Sequence, residues 1–210
     1  KGVGLAEGST CFLLERDREG FSIGRVHDKM GERLANNAEL IFQDCFIPDE
    51  NVVGEVGNGF NVLAKFFPQS NAYAGASVLG VAEACYTKAV DWAKIRVQGG
   101  KPIIEHDGIR AQLAEMRMLI DASRSYIHRA CYLADHQEQG WDKTLGVLPK
   151  TMASQAAWKI ATWCLEIHGG HGYMKEFGVA KLVRDAACFL HSDGVNRTLF
   201  LKAANFIFEE

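Results

Sequence analysis

The chain has 210 residues, of which 48% are hydrophobic and 23% are charged, with a net charge of −3 and a pI near 6.2. This composition is typical of a globular protein with enough apolar residues for one or two cores. The slightly negative charge disfavours nucleic acid and anionic membranes as partners. Because no apolar run approaches the ~20 residues needed to cross a bilayer, we predict no membrane span.

The six cysteines and seven histidines are scattered along the chain. Their spacing fits neither a zinc site nor a dense disulfide framework, so we predict reduced thiols, a cytoplasmic location and no metal site. His168 and His171 are three residues apart, but no third ligand candidate lies near them in the sequence.

The first 55 residues carry strand signals separated by glycine and asparagine clusters. Apolar and β-prone residues occupy 10–14, and polar and apolar residues alternate over 20–23 and 39–47. A few strands leave open edges and an uncovered face, so we predict only part of a β-sheet domain over 1–55.

From residue 56 onward the hydrophobic period becomes helical. One apolar stripe consists of Val78, Ala82, Cys85, Ala89 and Trp92, and similar stripes run over 109–134 and 152–167. Two of these helices exceed 25 residues, and breaks fall at 99–102 and 139–142 with Asp107 and Asp142 as expected N-caps. The fold class is therefore predicted as mainly α, with an antiparallel four-helix bundle over 56–210.

The most informative segment is 166–185, where Glu166 ends an apolar helix and three glycines follow. Glycines allow left-handed backbone angles and the close approach of a ligand or another backbone. Further polar and aromatic residues stand at fixed offsets from these glycines, namely Tyr173, Glu176, Lys181 and Asp185.

This segment closely resembles the C-terminal signature of the acyl-CoA dehydrogenase family, flavoenzymes that desaturate acyl-CoA thioesters between the α and β carbons. The resemblance continues at Met30-Gly31, at 47–52 and at 113–116. It implies that 1–55 is the C-terminal half of the middle β domain and that 56–210 is the helical bundle domain. The chain begins with Lys1 rather than Met, so we expect a fragment. The resemblance implies that it is inactive alone, because the family's N-terminal helical domain and the first half of its β domain are not in this sequence.

The resemblance also implies a catalytic base. The family motif Glu-Gly-Thr-Asn corresponds here to 193–196, which places Asp193 in the base position, with its own backbone N–H stabilising the enolate oxygen. Aspartate has nearly the basicity of glutamate, although its reach is shorter by roughly 1.5 Å. From the residues alone, Asp193, or Ser192 beside it, is better explained as a helix N-cap, and only the resemblance favours the base.

The flavin in this family is FAD, and the resemblance implies that the loop carrying Arg96 reaches the FAD of a neighbouring subunit. The positive charge of Arg96 suits a diphosphate. The residues implied to bind the cofactor are Arg96, Gln98, Asp107, Glu166, Gly169, Gly170, Gly194 and Asn196. Four positions depart from the family pattern, because Gly99, Asp107, Glu166 and Val195 stand where Phe, Gln, Gln and Thr are usual.

For the acyl-CoA substrate, the resemblance implies contacts from Gln69, Ser70, Asn71 and Gly194. It further implies a homotetramer or heterotetramer formed through the bundle, and an electron-transfer flavoprotein or similar protein as the electron acceptor.

The predicted function is thus part of an FAD-dependent acyl-CoA dehydrogenase, in which a carboxylate removes the α-proton while the β-hydride passes to the flavin. Two alternatives remain. One is a non-catalytic supporting subunit of a hetero-oligomeric acyl-CoA dehydrogenase, in which only the partner binds flavin. The other is a helical interaction module without a ligand, in which Arg96 and Asp193 have no functional role.

Overall fold

The computed structural model describes residues 4–208, except for the side chains at positions 5, 6 and 68. Its helices are α1 (Leu5–Gly8), α2 (Gly59–Ile95), α3 (Asp107–Asp135), α4 (Leu148–His168), α5 (Gly170–Tyr173), α6 (Val179–Cys188) and α7 (Asn196–Phe208). Its strands are β1 (Cys11–Phe12), β2 (Phe21–Val26), β3 (Ala38–Phe42), β4 (Val52–Val53), β5 (Val97–Gln98) and β6 (Lys101–Pro102).

The chain divides into two compact units. One extends through Lys29 and from Arg33 to Phe67, and the other contains Met30–Glu32 and the chain from Pro68 onward. The first unit holds strands β1 to β4, and the second holds the helical bundle. The predicted domain limits of 1–55 and 56–210 stay a prediction.

The β unit consists of two antiparallel pairs, β1 with β4 and β2 with β3. In the longer pair Phe21 lies opposite Phe42, with ring centroids 5.3 Å apart, and Ile23 lies opposite Leu40. Leu40, Phe42 and Val26 are all exposed. The partial sheet predicted from the sequence is therefore present, with apolar side chains uncovered within this unit.

The bundle is the mainly helical fold that the sequence predicts, and its two longest helices are α2 with 37 residues and α3 with 29. The predicted apolar stripe on α2 is buried at Val78, Ala82, Cys85 and Ala89. It packs in one core with α3 residues such as Met116 and Ile120 and with α4 residues such as Ile160.

Helix α4 is the most buried of the three long helices, because twelve of its 21 residues are buried, compared with seven of 29 in α3. Alanines at 153, 156, 157 and 161 let its neighbours approach closely. It packs against α3, α6 and α7. A helix packed on several sides buries polar as well as apolar positions, and the buried polar residues of α4 include Lys150, Thr151 and Ser154.

The connections between helices follow from local turn chemistry. Gly99 and Gly100 have φ values of +61° and +81° and join β5 to β6 in a two-residue hairpin of the type that favours glycine. Asp142 caps the 3₁₀ turn Lys143–Gly146 by accepting a hydrogen bond from the Thr144 N–H at 2.7 Å, as predicted. The expected cap at Asp107 is wrong, because the N-cap of α3 is His106 and Asp107 is its first helical residue.

Residues Met30–Glu32 belong to the bundle unit through contacts with α6. The buried Asp185 carboxylate accepts a hydrogen bond from the Glu32 N–H at 2.8 Å and pairs with Lys181. Arg184 donates to the Met30 carbonyl at 3.0 Å. A Cβ on Gly31 would collide with the Arg184 backbone, so glycine is required where this segment crosses α6.

Within the described range 4–208, no helix combines the length and apolar character needed to cross a membrane.

The two methionines of α3 allow a matched test of the core. Met116 is fully buried and Met118 is 59% exposed. We expect Met116→Ala to lower the free energy of unfolding by about 2 to 5 kcal/mol, because it leaves a cavity among α2, α3 and α4. Met118→Ala should change it by less than about 0.5 kcal/mol. Urea denaturation measures both, and equal losses would contradict the assigned core face of α3.

Candidate functional site

An open cleft of about 290 Å³ lies where the end of α2, the β5–β6 hairpin and the C-terminal end of α4 meet. Its lining is formed by Trp92, Arg96, Gln98, Ile103, His106, Ile109, Glu166, Ile167, His168, Gly169, Gly170 and His171. Five of the eight residues predicted to bind the cofactor are therefore brought together in one place.

Arg96 lines this cleft from the position directly after the end of α2. Its backbone is fixed on both sides, since its N–H donates to the Trp92 carbonyl at 2.9 Å and its carbonyl accepts from the Ile103 N–H at 2.8 Å. Its guanidinium carbon lies 5.9 Å from the centroid of the Trp92 ring. Among residues 4–208 the guanidinium forms no ion pair, so its charge is available to an anion.

Trp92 and the glycine block form one wall of the cleft. The Trp92 ring stacks on His168 with centroids 5.2 Å apart, and the His168 ring is held by a 2.8 Å contact between its Nδ1 and the Cys164 carbonyl. The indole N–H of Trp92 is buried without an acceptor in the described part of the chain. A buried donor of this kind calls for a water or a ligand acceptor.

The glycines of the block differ in the space around them. A Cβ on Gly169 or Gly170 would meet nothing within 4 Å, although Gly169 has a φ of +59°. A Cβ on Gly172 would lie 2.8 Å from the Cβ of His168. Gly169 and Gly170 thus leave room for a ligand, whereas Gly172 allows α5 to pack closely on the end of α4.

Two predicted cofactor residues carry negative charge. Glu166 lines the cleft and its carboxylate accepts a 3.4 Å hydrogen bond from Gln112. Asp107 is outside the lining, where its fully exposed side chain faces Arg110. The contribution of Asp107 to cofactor binding stays a prediction, because Asp107 does not line the cleft.

Beneath the cleft, Cys85 of α2 and Cys164 of α4 are fully buried and interact through their thiols. The hydrogen bond from Cys85, aided by His168, lowers the pKa of Cys164, and the same hydrogen bond together with burial raises the pKa of Cys85. Since neither thiol reaches solvent, we interpret the pair as packing groups that support His168.

A second group of predicted residues forms the turn between α6 and α7. Asp193 and Gly194 have consecutive positive φ values of +51° and +98°. Aspartate tolerates this conformation better than most residues, and at position 194 a Cβ would lie only 2.9 Å from the Leu199 side chain. Because α7 begins at Asn196, Asp193 is not adjacent to the helix as an N-cap would be.

The first residues of the turn carry polar groups without partners among the described residues. The Asp193 side chain is exposed, and within the described residues neither the Asp193 N–H nor the Gly194 N–H has a hydrogen-bond acceptor. A carboxylate and two open N–H donors therefore lie together on a turn, which is an arrangement suited to a carbonyl compound that loses a proton.

Lys150, which the sequence reading missed, lies directly behind this turn. Its ammonium group donates to the Gly194 carbonyl at 2.8 Å and to Asn196 Oδ1 at 3.0 Å. Burial lowers the pKa of Lys150, and the charge of Asp193 acts in the opposite direction. A lysine in a helix normally marks a solvated face, so its sequence context gave no signal.

Asn196 is buried by the same contacts. Besides its interaction with Lys150, its Nδ2 donates to Ser154 Oγ at 2.9 Å. Its predicted role in cofactor binding remains a prediction, while the contacts seen here tie α7 to α4. Of the predicted substrate residues, Gln69 and Ser70 are half-buried, and Asn71 donates to the Gly146 carbonyl at 2.8 Å.

Comparison with known proteins identifies the class. Residues 57–206 match the family model described as acyl-CoA dehydrogenase, C-terminal domain. The chain therefore belongs to the acyl-CoA dehydrogenase family, as its residues predicted.

Individual relatives agree with this assignment. The chain is 37% identical over 190 residues to a short-chain-specific acyl-CoA dehydrogenase of Megasphaera elsdenii, covering 90% of this chain and 49% of that protein. It is 34% identical over 211 residues to cyclohexane-1-carbonyl-CoA dehydrogenase of Syntrophus aciditrophicus, covering 100% and 53%. The chain thus spans about half the length of the curated relatives it matches.

Solved structures show the same fold. The butyryl-CoA dehydrogenase of Megasphaera elsdenii superposes with a TM-score of 0.91 at 34% identity, over 96% of this chain and 52% of that one. The mainly helical fold class predicted from the sequence is confirmed.

The glycine block offers a matched pair of variants. We expect Gly172→Ala to lower the free energy of unfolding by about 1 to 3 kcal/mol, because its Cβ would press on His168 and on the Leu165 carbonyl. Gly170→Ala, with open space around it, should stay within about 0.5 kcal/mol of the unaltered protein. Thermal unfolding of both variants measures this difference, and a reversed order would refute the packing described for α5.

Proposed function

We propose that the intact protein is an FAD-dependent acyl-CoA dehydrogenase that introduces a double bond between the α and β carbons of an acyl-CoA thioester. The observation that carries the proposal is the turn at 193–196, where a carboxylate and two open backbone N–H groups are fixed from behind by buried polar contacts. Family membership supports the class of reaction. In the proposal, the 193–196 turn carries out the proton transfer, and the hydride transfer requires the flavin.

In this proposal Asp193 is the catalytic base. Its carboxylate takes the α-proton of the thioester, and negative charge then develops on the thioester carbonyl oxygen. The Asp193 N–H donates to that oxygen, because a thioester α-proton is too weakly acidic for a carboxylate unless the enolate is stabilised. The electron pair of the broken α C–H bond forms the new double bond, while the β-hydrogen leaves as hydride with the pair of its own C–H bond.

The cleft at the other end of α4 fits part of a flavin dinucleotide. Its volume is at the lower limit for small-molecule sites, so it holds one portion of the cofactor rather than the whole. Arg96 offers an unpaired cation to a diphosphate, and Gly169 and Gly170 leave room for close approach. When bound, FAD supplies the acceptor for the hydride.

The cleft and the turn share no residue, which agrees with a site built from more than one copy of the chain. We therefore propose that the protein assembles through its bundle, as the predicted tetramer requires, and that it passes electrons to an electron-transfer flavoprotein or a similar acceptor. The six cysteines are all free thiols, which supports the predicted cytoplasmic location.

The names of the relatives define a first substrate panel. These proteins are described as acting on short-chain, butyryl and cyclohexane-1-carbonyl thioesters. We propose an acyl-CoA with a short or cyclic acyl group, because the shorter reach of Asp193 requires the α carbon to lie closer to the 193–196 turn.

The first test removes the base. Asp193→Asn keeps the shape of the side chain but cannot accept the α-proton, so we expect dehydrogenation of the panel to fall by at least about 10³-fold while flavin stays bound. Stopped-flow measurement of flavin reduction in the intact protein, with released FAD quantified per chain, gives both values.

Undiminished flavin reduction in Asp193→Asn would overturn the assignment of the base. Absence of flavin from the unaltered, folded protein after reconstitution with FAD would instead favour a supporting subunit.

A second test addresses the cofactor cleft. Arg96→Gln removes the charge that faces the cleft, and we expect FAD affinity to fall by roughly 10- to 100-fold, the loss typical of a charge-assisted contact. Arg117→Gln is the matched control, because Arg117 forms an exposed ion pair with Asp121 away from the cleft. Equilibrium titration of the apo-protein with FAD compares them, and equal affinities would exclude Arg96 from the flavin site.

A further inference from the structure

Lys150 occupies a position that is doubly unfavourable for a lysine. It lies in the first turn of α4, where the helix dipole repels a cation, and its exposed fraction is 0%. Burial of an ammonium group costs free energy unless acceptors replace the lost water. A core position of this kind is ordinarily filled by an apolar residue, so the charge calls for a local explanation.

Both hydrogen bonds of the Lys150 ammonium group go to one feature, the 193–196 turn that carries Asp193. Nζ donates to the carbonyl of Gly194, the second residue of this turn, and to the side chain of Asn196, its last residue. The charge of Asp193 also acts on Lys150. Lys150 is therefore a buried anchor for an exposed turn. Of the two consecutive residues with positive φ, Gly194 accepts a hydrogen bond from Lys150, and Asp193 directly precedes Gly194.

The anchor is itself held from the opposite side. A Cβ on Gly75 of α2 would lie 3.4 Å from the Cα of Lys150, so the two backbones approach closely at this point. One turn earlier on α2, Asn71 holds the Gly146 carbonyl, just before α4 begins. The start of α4 therefore contacts α2, which carries the predicted substrate residues, on one side and the 193–196 turn, which carries the predicted base, on the other.

From this geometry we propose that Lys150 is a positioning residue, which fixes the backbone of the 193–196 turn so that the Asp193 carboxylate and its N–H face the thioester together. The inference rests on the proposed function. Lys150 touches neither substrate nor reacting atoms and acts through Gly194 and Asn196.

The shorter aspartate makes this anchoring more demanding. A glutamate can adjust its reach through one more rotatable bond, whereas the position of the Asp193 carboxylate follows the backbone of the turn more closely. A displacement of ~1 Å in a reacting group can cost on the order of 100-fold in rate. A rigid, buried tie to α4 restricts such displacement.

The direct test needs neither flavin nor substrate. Lys150→Met keeps much of the side-chain volume but removes both hydrogen bonds to the turn. The Asn196 N–H, which donates across the turn to the Leu190 carbonyl at 3.2 Å, reports on its opening. We expect hydrogen–deuterium exchange of a peptide spanning 190–199 to become about 5- to 30-fold faster in the apo-protein.

Lys159→Met is the matched control, because Lys159 is on the same helix but pairs with Glu115 at the surface. Exchange of 190–199 should be unchanged in this variant. Unchanged exchange in Lys150→Met would overturn the positioning role, and so would an increase spread evenly over the bundle, since that indicates general destabilisation.

Kinetics give an independent readout. With the best acyl-CoA of the panel, Lys150→Met should lower kcat by about 10- to 100-fold with little change in KM or flavin content. The isotope effect on kcat for substrate deuterated at the α carbon should rise, because proton abstraction becomes slower relative to other steps. A fall confined to KM or flavin content would contradict the proposal.

Asn196→Ala tests the same contact from the turn if Lys150→Met does not fold. It removes the acceptor at Oδ1 but leaves the bond from Lys150 to the Gly194 carbonyl, so it should accelerate exchange over 190–199 at the lower end of the same range. Unchanged exchange would overturn the proposal. The two hypotheses fail separately. Unaltered exchange in these variants rejects the anchor even if Asp193→Asn abolishes turnover, while full turnover in Asp193→Asn rejects the base and, with it, the catalytic meaning of the anchor.

Discussion

Burial of α4 is the constraint on which the rest of the bundle depends. Its alanines bring α3, α6 and α7 close around it, and more than half of its residues are buried. Polar groups on such a helix must find partners inside the protein. Lys150 finds them at one end, in the turn before α7, and His168 finds its partner at the other end, beside the cleft. One helix thereby fixes two sites that share no residue.

Most of the fold was predictable because helical periodicity is a local signal repeated over long segments. The stripe that includes Val78 and Cys85 is buried as predicted, and the glycine pair at 99 and 100 forms the expected break. Helix ends are harder to predict from the sequence, because an N-cap depends on a single side-chain hydrogen bond. Asp142 makes that bond and Asp107 does not, although both are aspartates ahead of apolar runs.

The candidate site was predictable only where function leaves an unusual local pattern. The glycine block and Asp193 stood out because several uncommon residues occur together, and the cleft contains Arg96, Gln98, Glu166, Gly169 and Gly170 as a group. Lys150 could not be found in this way, because the residues it binds lie in a turn more than 40 residues later in the chain. The burial of Asn71 and Asn196 depends likewise on long-range contacts, which residue type and spacing do not encode.

The contact of Met30–Glu32 with α6 has a practical consequence for dissection of the protein. The matched family domain begins at residue 57, so an excised bundle with that boundary would lack the Glu32 N–H that satisfies Asp185. The Asp185 carboxylate is 4% exposed and would retain only its pairing with Lys181. A peptide carrying 28–34, supplied in trans, would restore the missing donor, so the bundle is better regarded as a discontinuous folding unit than as a C-terminal segment.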